Sequence, residues 1–161
     1  MNTKEDKAFA VLRTIFGMVW MVDASLKWTP SFINGFSDYL TGALEGQPAL
    51  AQSWIHFWIN VVNVNPHFFA IMVATAETLI AFALIFGFFT EIAIWGGILL
   101  TLIIWSTAEG FGGPYVAGST DIGSAIIYVI VFSSLWLGKS WRYYSLDSIL
   151  KEKLPFLGWH W

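Results

Sequence analysis

The 161-residue chain is 57% apolar and 12% charged, against about 25% charged for soluble domains. A chain this short cannot bury so much apolar surface in a core of its own, which points to lipid as its solvent. A net charge of -3 without a basic cluster argues against nucleic acid as a partner, and the lack of cysteine excludes disulfides, thiolate metal sites and dithiol redox chemistry.

Residues 1–7 mix acid and base, and Asp23 and Lys27 stand where a signal-cleavage site would need small residues, so no cleavable leader is expected. The first apolar run, 8–28, matches the roughly 20 residues of a membrane helix. Pro30, Asn34, Gly35, Gly42 and Gly46 mark a long connection after it. Within that connection, residues 52–64 place Ser53, His56, Asn60 and Asn63 on one helical stripe and Trp54, Ile55, Trp58, Val61 and Val62 on the other, the pattern of a helix lying in the interface. Asn65-Pro66 opens a second span over 66–89, and Thr90-Glu91 links it tightly to a third over 91–107. Gly96-Gly97 in that third span allows close helix approach, as do Ala70, Ala74 and Ala81 in the second. A Gly-rich loop at 108–120 precedes a fourth span over 121–137, with Thr120 or Asp121 as its cap. Residues 145–153 read as a second interfacial helix, with Ser145 as cap and Leu146, Ile149, Leu150 and Leu154 on one side.

The expected fold is all-α: one transmembrane domain covering the chain, a polytopic four-helix bundle with interfacial amphipathic helices. Ten Trp, many near the ends of apolar runs, suit the aromatic belts of a bilayer. Lys4, Lys7 and Arg13 flank the first span, and Lys139, Arg142, Lys151 and Lys153 follow the last. The positive-inside rule therefore places the chain in an inner, plasma-type membrane with both termini cytoplasmic. The outer loops then carry Asp38, Glu45, Glu109 and Asp121, an acidic face.

Glu77 is the sharpest chemical signal. It falls 11 residues into the second span, about 16 Å from its start and close to the midplane. A carboxylate there costs at least ~2.5–3.5 kcal/mol, so it must turn inward and find a partner or a proton. Arg13 is the expected partner, either as a structural ion pair or as part of a working site. Asp23 and Lys27, four residues apart, suit a local salt bridge at the outer rim. Trp20, Thr101 and Tyr128 lie at similar depth and, with Glu77, make a candidate cleft for a quinone head group or a lipid; plain aromatic packing is the competing reading. His56, His67 and His160 share no helical spacing for a metal and offer no midplane pair for haem. His56 and His67 are thus the weak candidates for a metal, and no metal, haem or iron–sulfur centre is expected. The Gly-Phe-Gly-Gly-Pro run at 110–114 lacks the strand, Lys and hydroxyl of a phosphate loop and reads as a turn.

These features resemble the DoxX/DoxD family of small four-helix membrane proteins. The matching residues are Arg13 with Gly17, Lys27-Trp28, Glu77 followed by Leu84, Gly87 and Thr90, then Thr120-Asp121-Ile122-Gly123 and Tyr144-Ser145-Leu146-Asp147. The resemblance spans most of the chain through short motifs, with Thr90-Glu91 departing from the family's usual Thr-Arg. It implies a membrane subunit of a quinone-linked respiratory complex such as thiosulfate:quinone oxidoreductase, with other membrane subunits as partners. An acidic outer face is a poor cradle for a thiosulfate dianion, so that substrate would sit on a partner subunit. The alternative is a non-catalytic accessory subunit of a larger oxidase or oxygenase. A transporter fits less well, because neither an inverted repeat nor a broken helix is present.

Overall fold

The computed structural model describes residues 3–153 apart from 118 and 120, and the regular structure among them is entirely helical. In chain order the helices are α1 (Thr3–Leu26), α2 (Pro30–Asn34), α3 (Phe36–Gly42), α4 (Ala49–Val62), α5 (Pro66–Phe86), α6 (Thr90–Ser106), α7 (Ser124–Leu137) and α8 (Leu146–Lys153), with a 3-10 turn at Gly110–Gly112 before α7. Two of them, α1 and α5, are long and apolar enough to cross a membrane; α6 and α7 are shorter apolar helices.

Local chemistry sets the boundaries. Thr29 caps α2 through its side chain and Pro30 takes the first turn, so the connection after α1 is more helical than its glycines suggest. Asn65 Oδ1 accepts the Phe68 N–H at 3.1 Å and Pro66 starts α5. α5 stops at Phe86, short of residue 89, because Gly87 turns left-handed at φ 66°. The expected start of the fourth span at residue 121 also moves. Asp121 Oδ1 accepts the Ile122 and Gly123 N–H groups in a local turn, and Gly123 at φ 84° delays α7 to Ser124. Thr120, the other cap expected there, lies outside the described residues, as do Leu154 and His160. The polar stripe of α4 is exposed while Ile55 and Val62 are buried, and Ser145 Oγ accepts the Ser148 N–H at 3.0 Å to cap α8.

α1 packs chiefly on α5 and α6 on α7, with further contacts from α5 to α6 and from α1 to α7. The core they share is Phe16, Trp20, Ile80, Ala81, Leu84, Ile94, Phe132, Leu135 and Trp141. Small residues allow the approach. A Cβ on Gly17 would stand 2.9 Å from the Ile85 nitrogen, and one on Gly97 would strike the Phe132 ring. Gly96 differs from its neighbour: a Cβ there meets nothing within 4 Å, so only Gly97 serves the close approach expected of the pair.

Apolar side chains cover the outward faces of the long helices as well as filling the core. On α1 the buried stripe is Asp6, Ala10, Arg13, Phe16, Trp20 and Ala24, while Val11, Ile15, Met18, Val22 and Leu26 face outward. On α5 Glu77 is buried while Phe68, Met72, Leu79, Phe82 and Phe86 are exposed. On α8 Asp147 is buried and Leu146 and Ile149 are exposed. Arg13 and Glu77, at 0% and 1% exposure, are among the most buried side chains of the protein.

Candidate functional site

The two motif-rich regions of the sequence assemble at opposite ends of the long helices. At the end of α1 distant from the chain's start, Lys27 bends back over the last turn. Its Nζ lies 2.9 Å from Asp23 Oδ2 and 3.2 Å from Glu77 Oε2. The Phe32 ring lies 5.7 Å from the ammonium, and Trp28 Nε1 donates to Thr78 Oγ1 at 3.0 Å, tying the same turn to α5. The Lys27 contact is an ion pair at hydrogen-bonding distance, and neither Glu77 oxygen has a further partner among the described residues. The neighbouring Trp20 Nε1 is likewise buried without a partner. Trp20 stands edge-on to Tyr128, with ring centroids 5.1 Å apart, and both rings also contact Phe16. The result is a carboxylate and an indole N–H inside an aromatic wall, with one ammonium as the only counter-charge in contact among the described residues.

The expected Glu77–Arg13 pair does not form. α1 and α5 run antiparallel, with Gly17 against Leu84 and Ile85, so Arg13 comes level with Gly87. Ten residues of α5 separate Gly87 from Glu77, about 15 Å, beyond the reach of a guanidinium. The partner of Glu77 is Lys27, which the sequence reading had assigned to Asp23 alone; the Asp23–Lys27 bridge is also present. Thr101 is buried on α6 and its hydroxyl donates to Gly97 O at 2.6 Å, so it is spent on its own helix. His56 and His67 are exposed, and among the described residues no three His, Asp or Glu side chains gather for a metal.

Arg13 builds the opposite end. Its Nη1 donates to Ser140 O at 3.1 Å and its Nη2 to Tyr144 O at 2.7 Å, pinning the segment between α7 and α8. Asp147 accepts the Phe89 and Thr90 N–H groups at 2.8 and 2.9 Å, capping α6 from a different element, while its own N–H donates to Gly87 O at 2.9 Å. Phe89, Lys139 and Tyr144 all sit at positive φ in this knot, strain held by the surrounding bonds. Glu109 performs the equivalent task at the other end, accepting Ser124 Oγ at 2.9 Å and the Ala125 N–H at 3.1 Å to cap α7. Both caps escaped the sequence, because a cap that comes from another element, well beyond the helix's own first turn, leaves no local spacing.

Comparison with protein-family models, characterised proteins and solved structures returned no match.

Proposed function

We propose that the chain is a four-span helix bundle of the inner membrane with both termini cytoplasmic, and that it serves as the membrane subunit of a quinone-linked electron-transfer complex of the DoxX/DoxD kind. The supporting observation is the apolar exterior: apolar side chains cover the outward faces of α1, α5, α6 and α7, while Arg13 and Glu77 lie inside. α6 and α7 extend roughly 25 and 21 Å, short of the ~30 Å hydrocarbon, and local thinning of the bilayer accommodates that difference. Every Lys and Arg other than Lys27 lies in the terminal segments, or in α1 near its start, as a cytoplasmic face requires.

The quinone reading draws on the chemistry of the side chains around Glu77. A quinone carbonyl accepts hydrogen bonds, which Trp20 Nε1 and the Lys27 ammonium can donate; a quinol hydroxyl donates one, which Glu77 can accept. Phe16, Trp20 and Tyr128 supply ring-shaped walls. With no cysteine for thiolate ligation, the electrons must come from a centre on a partner subunit.

A second reading, a non-catalytic accessory subunit, is favoured by the outward groove of about 550 Å³ between α5 and α6, where Ala76, Ala83, Ala93 and Gly96 form a floor between Phe82 and Phe89. Such a groove suits a helix of a neighbouring subunit.

Purification from the native membrane in mild detergent separates the two. Quinone extracted in stoichiometric amount, and lost on Glu77→Gln, supports the quinone subunit. A stoichiometric large oxidase partner with no quinone retained by this chain supports the accessory role. A chain that leaves the membrane in carbonate wash rejects both.

A further inference from the structure

We propose that Asp23, Lys27 and Glu77 form a proton path from the surface, at the end of the bundle opposite α8, to the buried Glu77 carboxylate. The path rests on the membrane reading above and deepens the quinone one by giving the site a direction. Its steps are short: 2.9 Å from Asp23 Oδ2 to Lys27 Nζ, then 3.2 Å from Nζ to Glu77 Oε2. Exposure falls along it, from 36% at Asp23 to 20% at Lys27 and 1% at the Glu77 side chain. Beyond the Lys27 contact, Glu77 has no hydrogen bond among the described residues to fix its charge state, as a purely structural carboxylate would.

In the other direction there is no carrier. Between Glu77 and Arg13 the contact of α1 with α5 is filled by Phe16, Gly17, Trp20, Ile80, Ala81 and Leu84, none of which titrates. The titratable groups that act on Glu77 are Lys27 and Asp23 from α1 and its end, and Tyr128 on α7 lies within electrostatic reach of the same three charges. α6 offers only the Thr101 hydroxyl, bonded to its own helix.

The transfer balances. When a quinone at this site is reduced by electrons from the partner subunit's centre, its oxygen takes a proton from Glu77. For each proton delivered, Asp23 takes one from water, Lys27 gives one N–H proton to Glu77, and its freed lone pair takes the proton from Asp23. Lys27 ends as the ammonium and both carboxylates end as they began, with one proton moved from the surface to the reduced quinone. In membrane terms the entry is on the outer side.

The test is infrared spectroscopy of the chain in lipid vesicles sorted so that the loop end faces outward, with the protonated carboxyl band of Glu77 assigned by its loss in Glu77→Gln. After a pH step outside the vesicle the band is expected to respond, and after a step inside it is not. Lys27→Met should slow the response by roughly 100-fold, the scale of removing one acid–base group. Asp23→Asn, at a half-exposed position whose loss leaves the Lys27–Glu77 contact in place, should slow it as well. A band that follows the inner pH, or one that responds at the wild-type rate in both variants, overturns the path. Quinone extraction from the same preparations is scored separately, so failure of the path leaves the quinone reading standing and loss of quinone leaves the path measurable.

Discussion

Lys27→Met removes the counter-charge of Glu77 and keeps the length and most of the volume of the side chain. The variant leaves a carboxylate at 1% exposure with no hydrogen bond and no cation in contact. Removing one partner of a buried pair costs about 3–5 kcal/mol, because the remaining charge is stranded or must take up a proton. The Asp23 contact adds little, since that carboxylate is partly solvated and exposed pairs contribute about 0–1 kcal/mol. Lys27→Met should therefore cost about 3–5 kcal/mol, whereas Asp23→Asn should cost under about 1 kcal/mol. Replacing both partners, as Lys27→Met with Glu77→Gln, strands no charge and should recover about 2 kcal/mol or more, a coupling measured by a double-mutant cycle. The assay is reversible unfolding in mixed micelles followed by far-ultraviolet circular dichroism, on four proteins: wild type, each single variant and the double. Strictly additive costs, or a Lys27→Met variant within about 0.5 kcal/mol of wild type, would refute the view that these charges answer each other across the α1–α5 contact.

Gly97→Ala pushes a methyl group into the Phe132 ring, itself boxed by Phe16 and Trp20, and should cost about 1–3 kcal/mol. Gly96→Ala, with open space at its Cβ, should stabilise by up to about 1 kcal/mol through helix propensity, so the two adjacent substitutions should shift the unfolding midpoint in opposite directions. Asp147→Ala uncovers two N–H groups at the start of α6 and should cost about 2–4 kcal/mol by the same unfolding assay, with faster amide exchange confined to residues 89–91. Because the protein has no cysteine, single Cys residues at Thr41, Tyr115, Glu5 and Glu152, all exposed, report topology directly. An impermeant thiol reagent applied outside intact cells should label 41 and 115 and spare 5 and 152; labelling of either terminal position would invert the orientation.

Helix positions were legible because period and punctuation agree. Asn65-Pro66 opens α5 where its cap chemistry says it should, and the amphipathic stripe of residues 52–64 falls on α4 with its polar side exposed. The inward turn of Glu77 was also legible, since an apolar helix leaves a carboxylate no other face. Its partner was not. Choosing between Arg13 and Lys27 requires the register of α1 on α5, and that register is set by Gly17 closing on the Ile85 backbone, a contact with no signature in either helix alone. Asp121 misled for the opposite reason. A carboxylate just before an apolar run is a good local cap, yet here it folds onto its own turn and the cap comes from Glu109.

The two ends of the bundle use their charges differently, and the difference bears on which one works. At the terminal end Asp147 is spent on backbone N–H groups and Arg13 on backbone carbonyls, so each charge closes a turn. Bonds of that kind fix loops, because Asp147 is an acceptor that the start of α6 needs. At the loop end Asp23, Lys27 and Glu77 touch one another, and the only backbone their helices require is already paired within α1 and α5. A change of charge on Glu77 therefore disturbs Lys27 and leaves no helix uncapped. That freedom is what the proposed proton path needs at the Glu77 end, whereas the charges at the Arg13 end hold turns together.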